Sequence, residues 1–197
     1  MSKAVDATPK ETFSSLQNHF LIAMPGLDDP FFHRTVTYVC EHNEEGAMGL
    51  IINQPVGLTV ASLLEQIEIQ VPPSKALELA QVLTGGPVAT DRGFVLHTPQ
   101  KGWRSSLQLG DDIMITTSKD ILESFGSDKA PPHFILTLGY AGWEAGQLEQ
   151  EIADNSWLTI PADAELMFHT PTADRWSKAA ERLGFDIAQL SSEAGHA

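Results

Sequence analysis

Apolar residues fall in short runs at hairpin spacing, broken by glycine and proline, with only a few stretches of helical period between them. Asn18 to Met24 is a compact apolar run closed by Pro25-Gly26, which predicts a buried strand and a turn. Leu27 to His33 follows as one helical turn, with Asp28 or Asp29 as cap and Pro30 near its start. Thr35 to His42 and Ala47 to Asn53, joined by Asn43-Glu44-Glu45-Gly46, predict a hairpin. The expected register sets His42 opposite Ala47, Cys40 opposite Gly49, Tyr38 opposite Ile51 and Val36 opposite Asn53, all on one face. Val60, Leu63, Leu64 and Ile67 recur at helical spacing behind a Thr59 cap, and Pro72-Pro73 stops what precedes it.

Further strands are expected at 81–84, 92–98, 105–109 and 113–117. Thr117 and Asp120 have capping-box spacing ahead of a helix carrying Ile121, Leu122 and Phe125 and closed by Gly126. Leu136 to Ile152 predicts a strand, a glycine-rich turn at Gly139 to Gly146, and a helix start. Ser156 to Ile160 and Glu165 to Phe168 have the look of strands. Thr170-Pro171 heads a last helix with Trp176, Ala179, Ala180 and Leu183 on one stripe and Gly184 past its end. Hairpin-spaced strands interrupted by a few packed helices predict an α+β fold with a largely antiparallel β-sheet. A polar, flexible tail is expected over 1–15 and a single domain over 16–197.

Charge narrows the function. Twelve Lys+Arg against 26 Asp+Glu give a formal charge of −14, which repels phosphate backbones and anionic lipid and makes direct nucleic-acid binding a poor expectation. A lone cysteine forms no internal disulfide, no apolar leader opens the chain, and no apolar run is long enough to span a bilayer, so a cytoplasmic protein away from the membrane is expected.

Cys40 and His42 are the sharpest chemical lead, because a cysteine nucleophile needs a neighbouring base or cation to hold its thiolate. Positions i and i+2 of a strand share a face at roughly 6–7 Å, long for a hydrogen bond. Asn53, the third member of a conceivable Cys/His/Asn set, lies on the order of 13 Å along the partner strand, so no triad is expected. The seven histidines show no metal-ligand spacing, and neither a metal nor another cofactor is expected. Thr84-Gly85-Gly86-Pro87 and the Gly139 to Gly146 stretch could each cradle an anion, but neither has a phosphate-loop spacing and Glu144 opposes one. Glycines serving close packing are the simpler expectation.

The motifs His19-Phe20-Leu21-Ile22-Ala23-Met24-Pro25, Asp29-Pro30-Phe31, Cys40-Glu41-His42-Asn43, Gly46-Ala47-Met48-Gly49 with Asn53, Gly85-Gly86-Pro87 and Asp91-Arg92-Gly93-Phe94 occur in order. Gly139-Tyr140-Ala141 with Trp143, Gly146-Gln147-Leu148-Glu149, Asn155-Ser156-Trp157-Leu158 and Ala173-Asp174-Arg175-Trp176 complete the set. In these motifs, running from His19 to the C-terminus, the chain resembles the YqgE/AlgH family. The resemblance implies a small bacterial cytoplasmic α+β protein with a proposed regulatory role in transcription, and it supplies no catalytic residue. The last helix balances Arg175, Lys178 and Arg182 against Asp174 and Glu181, so it is no DNA-reading helix and any regulation would be indirect. The expected function is therefore a regulatory or interaction protein that binds a small ligand or a protein partner. Its candidate surface is Cys40, His42, Asn53, Gly85, Gly86, Arg92, Trp143 and Gln147, with a hydrolase or thiol enzyme at Cys40/His42 as the alternative.

Overall fold

The computed structural model describes residues 12–184. Ten strands form one curled, largely antiparallel sheet in the order β10-β1-β2-β3-β9-β6-β8-β7, with β4 and β5 attached beside it. The strands are β1 His19–Ala23, β2 Val36–Asn43, β3 Gly46–Ile51, β4 Pro55–Thr59, β5 Gln81–Thr84, β6 Val88–His97, β7 Ser106–Gln108, β8 Met114–Thr116, β9 Phe134–Glu144 and β10 Trp157–Pro161. Six short helices pack on them: α1 Val60–Gln66, α2 Lys75–Leu79, α3 Asp120–Ser124, α4 Gln147–Ala153, α5 Ala164–Phe168 and α6 Arg175–Arg182. The expected α+β architecture is observed, with the β5–β9 pairing the parallel exception.

β9 is the element the others share. It pairs with β3 through Ala141 to Glu144, with β6 through Phe134 to Leu138 and again at Tyr140, and with β5 at Thr137 and Leu138. Its side chains enter three apolar clusters. Ile135 joins Phe20, Tyr38 and Leu50 under α5 and α6; Leu136 joins Val60, Leu64 and Ile121 under α1 to α3; Ala141 and Trp143 join Val39, Leu148 and Trp157 beside α4. Gly139 to Trp143 is thus strand and not the expected glycine-rich turn, which is confined to Ala145-Gly146. The glycines earn their place sideways. A Cβ on Gly139 would lie 2.4 Å from the Gly86 carbonyl oxygen, and one on Gly86 only 2.0 Å from the Tyr140 carbonyl carbon. The two glycine-rich segments pack backbone to backbone.

Other departures are local. Glu165 to Phe168 belongs to helix α5, because Asp163 Oδ1 accepts the Leu166 N–H at 2.8 Å and fixes a helix start that apolar residues alone do not signal. The Thr117–Asp120 capping box does not form; Asp120 instead accepts from the Arg104 N–H and the Ser118 hydroxyl. The Thr59 cap on α1 does form, accepting from Ser62 N–H, and α6 buries Trp176, Ala179 and Ala180 as the stripe requires. β4 and α2 carry no clear hydrophobic period that would signal them in the sequence.

The hairpin register changes at Cys40. Val39 faces Gly49, Tyr38 faces Leu50 and Thr37 faces Ile51, while His42 still faces Ala47. Cys40 is the extra residue of a β-bulge between Val39 and Glu41. One extra residue reverses the inward and outward sense of everything beyond it.

Candidate functional site

The bulge separates the two leading candidates. Cys40 is buried among Tyr38, Leu50 and Phe20 on the α5/α6 side of the sheet. His42 lies on the other side, with its cross-strand partner Ala47 in the cluster of Trp143 and Leu148. They do not share a face, which corrects the expectation drawn from a regular hairpin. Burial, then the Glu41 charge, pushes the Cys40 thiol well above its ordinary range, the reverse of an activated nucleophile.

His42 is held from both ring nitrogens. Its Nδ1 accepts the Leu16 backbone N–H at 2.9 Å, so Nε2 carries the proton and donates to Glu149 Oε1 at 2.5 Å. Ser15 Oγ–H donates to the His42 carbonyl, and the Phe13 ring stands edge-on to the imidazole at 4.9 Å. The expected 1–15 tail falls mostly outside the described residues, but Phe13 to Leu16 covers His42. Burial raises the Glu149 carboxyl, yet its own backbone N–H and His42 outweigh that and hold it below the usual carboxylate range.

Trp143 is buried, and its Nε1–H donates to Glu151 Oε2 at 2.7 Å. Trp157 donates to the same oxygen at 3.0 Å, and Gln147 Nε2 donates to Oε1 at 3.2 Å. One carboxylate on α4 therefore clamps two indoles from β9 and β10, while Gln147 Oε1 also accepts the Glu144 N–H. This cluster fastens α4 to the sheet.

The remaining candidates lie apart from it. Asn53 bridges two backbones, accepting from Val36 N–H and donating to the Arg34 carbonyl. Gly85 and Gly86 are buried against β9. Arg92 is exposed with its guanidinium 5.3 Å from the Phe94 ring centre. The structure brings His42, Trp143 and Gln147 together around α4 and gathers Cys40, Asn53, Gly85, Gly86 and Arg92 into no common cleft with them. Among the described residues no three His, Cys, Asp or Glu side chains gather as a metal-binding group, and no helix is long and apolar enough to cross a membrane.

A hollow of about 650 Å³ lies elsewhere, between α1 and α2. Leu64, Ile69, Val71 and Leu77 contribute apolar surface, and Glu65, Glu68 and Glu78 add carboxylates. Ile67 beside it is 39% exposed and Leu79 at the end of α2 is 68% exposed, large apolar side chains left uncovered. Sequence inspection missed this groove. Its one signal is Ile67-Glu68-Ile69-Gln70-Val71, an alternating run that reads as a strand yet forms the link between two helices.

The AlgH-like family model matches residues 20–188. A UPF0301 protein of Idiomarina loihiensis is 62% identical over 184 residues, covering 93% of this chain and 100% of its own. The solution structure of the AlgH protein from Pseudomonas aeruginosa is 47% identical with a TM-score of 0.75, covering 96% of this chain and 100% of that one. The crystal structure of protein DIP2367 from Corynebacterium diphtheriae, 20% identical with a TM-score of 0.68 over 88% of this chain and 90% of its own, shares the fold alone.

Proposed function

The chain belongs to the AlgH-like family, and from that premise we propose that it is a regulatory protein that acts by binding a protein partner in the α1–α2 groove. The observation behind this is an apolar hollow of about 650 Å³ edged by three glutamates, large enough for several side chains of a peptide. The chemistry that complements it is a basic amphipathic segment: leucine-like side chains for the apolar floor, lysine or arginine for the rim. Its setting is the cytoplasm, and any effect on transcription runs through the partner rather than through DNA.

A model helical peptide with leucine on one face and lysine on the other, titrated into the isotope-labelled protein, tests this by NMR. Saturable shifts concentrated at residues 61–78, weakened by salt and by a Glu65→Lys/Glu68→Lys double substitution, are expected. Equal binding of an aspartate-for-lysine peptide, or shifts centred elsewhere, would exclude the groove as a site for basic segments.

A further inference from the structure

Arg175 is a buried cation with no carboxylate partner among the described residues. Arg175, at the start of α6, is 6% exposed. Its Nη1–H donates to the Ile52 carbonyl and its Nε–H to the Thr170 carbonyl at 3.2 Å. Among the described residues no acidic side chain pairs with it. Burial lowers its pKa only to about 10, so it stays charged at neutral pH. An arginine has five N–H donors, and taking such a charge out of water is costly unless an anion answers it.

Two hollows adjoin at Thr172, which lies in the wall of both. Arg175 and Gln81 line one of about 270 Å³. The other, about 480 Å³, is lined by His33, Arg34, Asn53, Gln54 and Trp176 among others, and by no carboxylate. There the Arg34 guanidinium stands 4.5 Å over the Trp176 ring. Trp176 is itself anchored by its Nε1–H to the Ala23 carbonyl. Arg34 sits in the left-handed region at φ 54°, a conformation costly for a side-chain-bearing residue, and the Asn53 amide holds its carbonyl there. The nearby Asp29 is engaged in capping Phe31 and Phe32. In a chain of formal charge −14, Arg175 thus lines one hollow and Arg34 with His33 its neighbour, and neither wall holds an acid.

The geometry points to an oxyanion site here, taking a carboxylate or phosphate group of a small metabolite against Arg34, with Arg175 supplying buried positive charge behind it. It goes beyond the α1–α2 groove and stands independently of it. Arginine suits both anions because its planar fork donates in pairs.

The test is an NMR titration of the full chain with sodium phosphate and, separately, sodium citrate, ionic strength being held constant with sodium chloride. Saturable shifts at Arg34 and at residues 172–177 are expected with at least one anion, and the arm that responds distinguishes phosphoryl from carboxylate ligands. Arg34→Gln should weaken binding about tenfold or more, as loss of a charge-assisted contact does. Arg182→Gln, which removes a surface arginine paired with Asp163, should leave it unchanged. Because Arg175→Gln can fail to fold, the outcome is read on Arg34. No saturable response at these residues to either anion, or equal binding by Arg34→Gln, overturns the assignment.

Discussion

Replacing Gly86 by alanine tests the packing on which the sheet depends. The new methyl would lie 2.0 Å from the Tyr140 carbonyl carbon, 2.1 Å from its oxygen and 2.2 Å from the Ala141 nitrogen. Ordinary contacts lie near 3.5–4.0 Å, so the β5–β6 link and β9 must part by roughly 1.5 Å. Two bonds of 2.8 Å depend on that approach, Gly85 N–H to the Leu138 carbonyl and Ile51 N–H to the Gly85 carbonyl. Overpacking costs about 1–3 kcal/mol, and each buried backbone group left without its partner adds about 1–3 kcal/mol. With partial relaxation the loss is on the order of 4 kcal/mol, a large share of the roughly 5–15 kcal/mol that holds a domain folded. Denaturant unfolding should show it directly, with a fall in melting temperature of about 10 °C alongside. Gly93→Ala is the control, since its Cβ meets nothing within 4 Å, and it should stay within about 0.5 kcal/mol. Equal stability of the two variants would refute the backbone-to-backbone contact.

Three further outcomes bear on the candidate residues. Cys40, buried with its thiol pushed upward, should react with iodoacetamide at pH 7 only as fast as the protein opens; labelling as quick as a free thiol would contradict its place in the core. Glu151→Ala leaves the Trp143 and Trp157 N–H groups without their acceptor and should cost about 2–4 kcal/mol in denaturant unfolding, with Glu151→Gln milder; no change would dissolve the α4 clamp. His97 is fully buried, donating from Nδ1 to the Thr98 carbonyl and accepting at Nε2 from Thr116, which Ser106 reaches in turn. Burial lowers its pKa against the smaller opposing pull of Thr98. The unfolded chain therefore binds the proton first, and stability should fall as pH drops below about 6.5, by up to roughly 1.4 kcal/mol per unit until the lowered native value is passed. A His97→Phe variant should lack this contribution, and an unchanged acid slope would remove His97 as its source.

The sequence carried the fold where one local signal sufficed. The Thr59 cap, the Asn43 to Gly46 turn and the Trp176 stripe each specify an element without reference to the rest of the chain. The second half of β9 was hidden because Gly139 and Gly142 read locally as turn residues; only the arrival of Gly86, more than fifty positions earlier, explains Gly139 inside that strand. The same non-locality hid the split between Cys40 and His42. Period two placed them together, and a single bulge residue, specified by packing on both faces of the sheet, sends His42 toward α4. Trp143 stands out in the sequence as a candidate for binding, while in the fold it is buried and shares the Glu151 carboxylate with Trp157, anchoring a helix. The α1–α2 groove was illegible because its floor is made by residues whose apolar character signals core, and exposure depends on what the fold leaves uncovered.

Partner binding through that groove is tested most directly by site-specific photo-crosslinking in living cells, with the crosslinker at Gln70 in the groove wall. A discrete crosslinked protein is predicted, lost when Glu65 and Glu68 are changed to lysine and absent when the crosslinker sits instead at Leu107, an exposed leucine of β7. No adduct at Gln70, or the same adducts from Leu107 and from the charge-reversed chain, would contradict a partner-binding role for the groove.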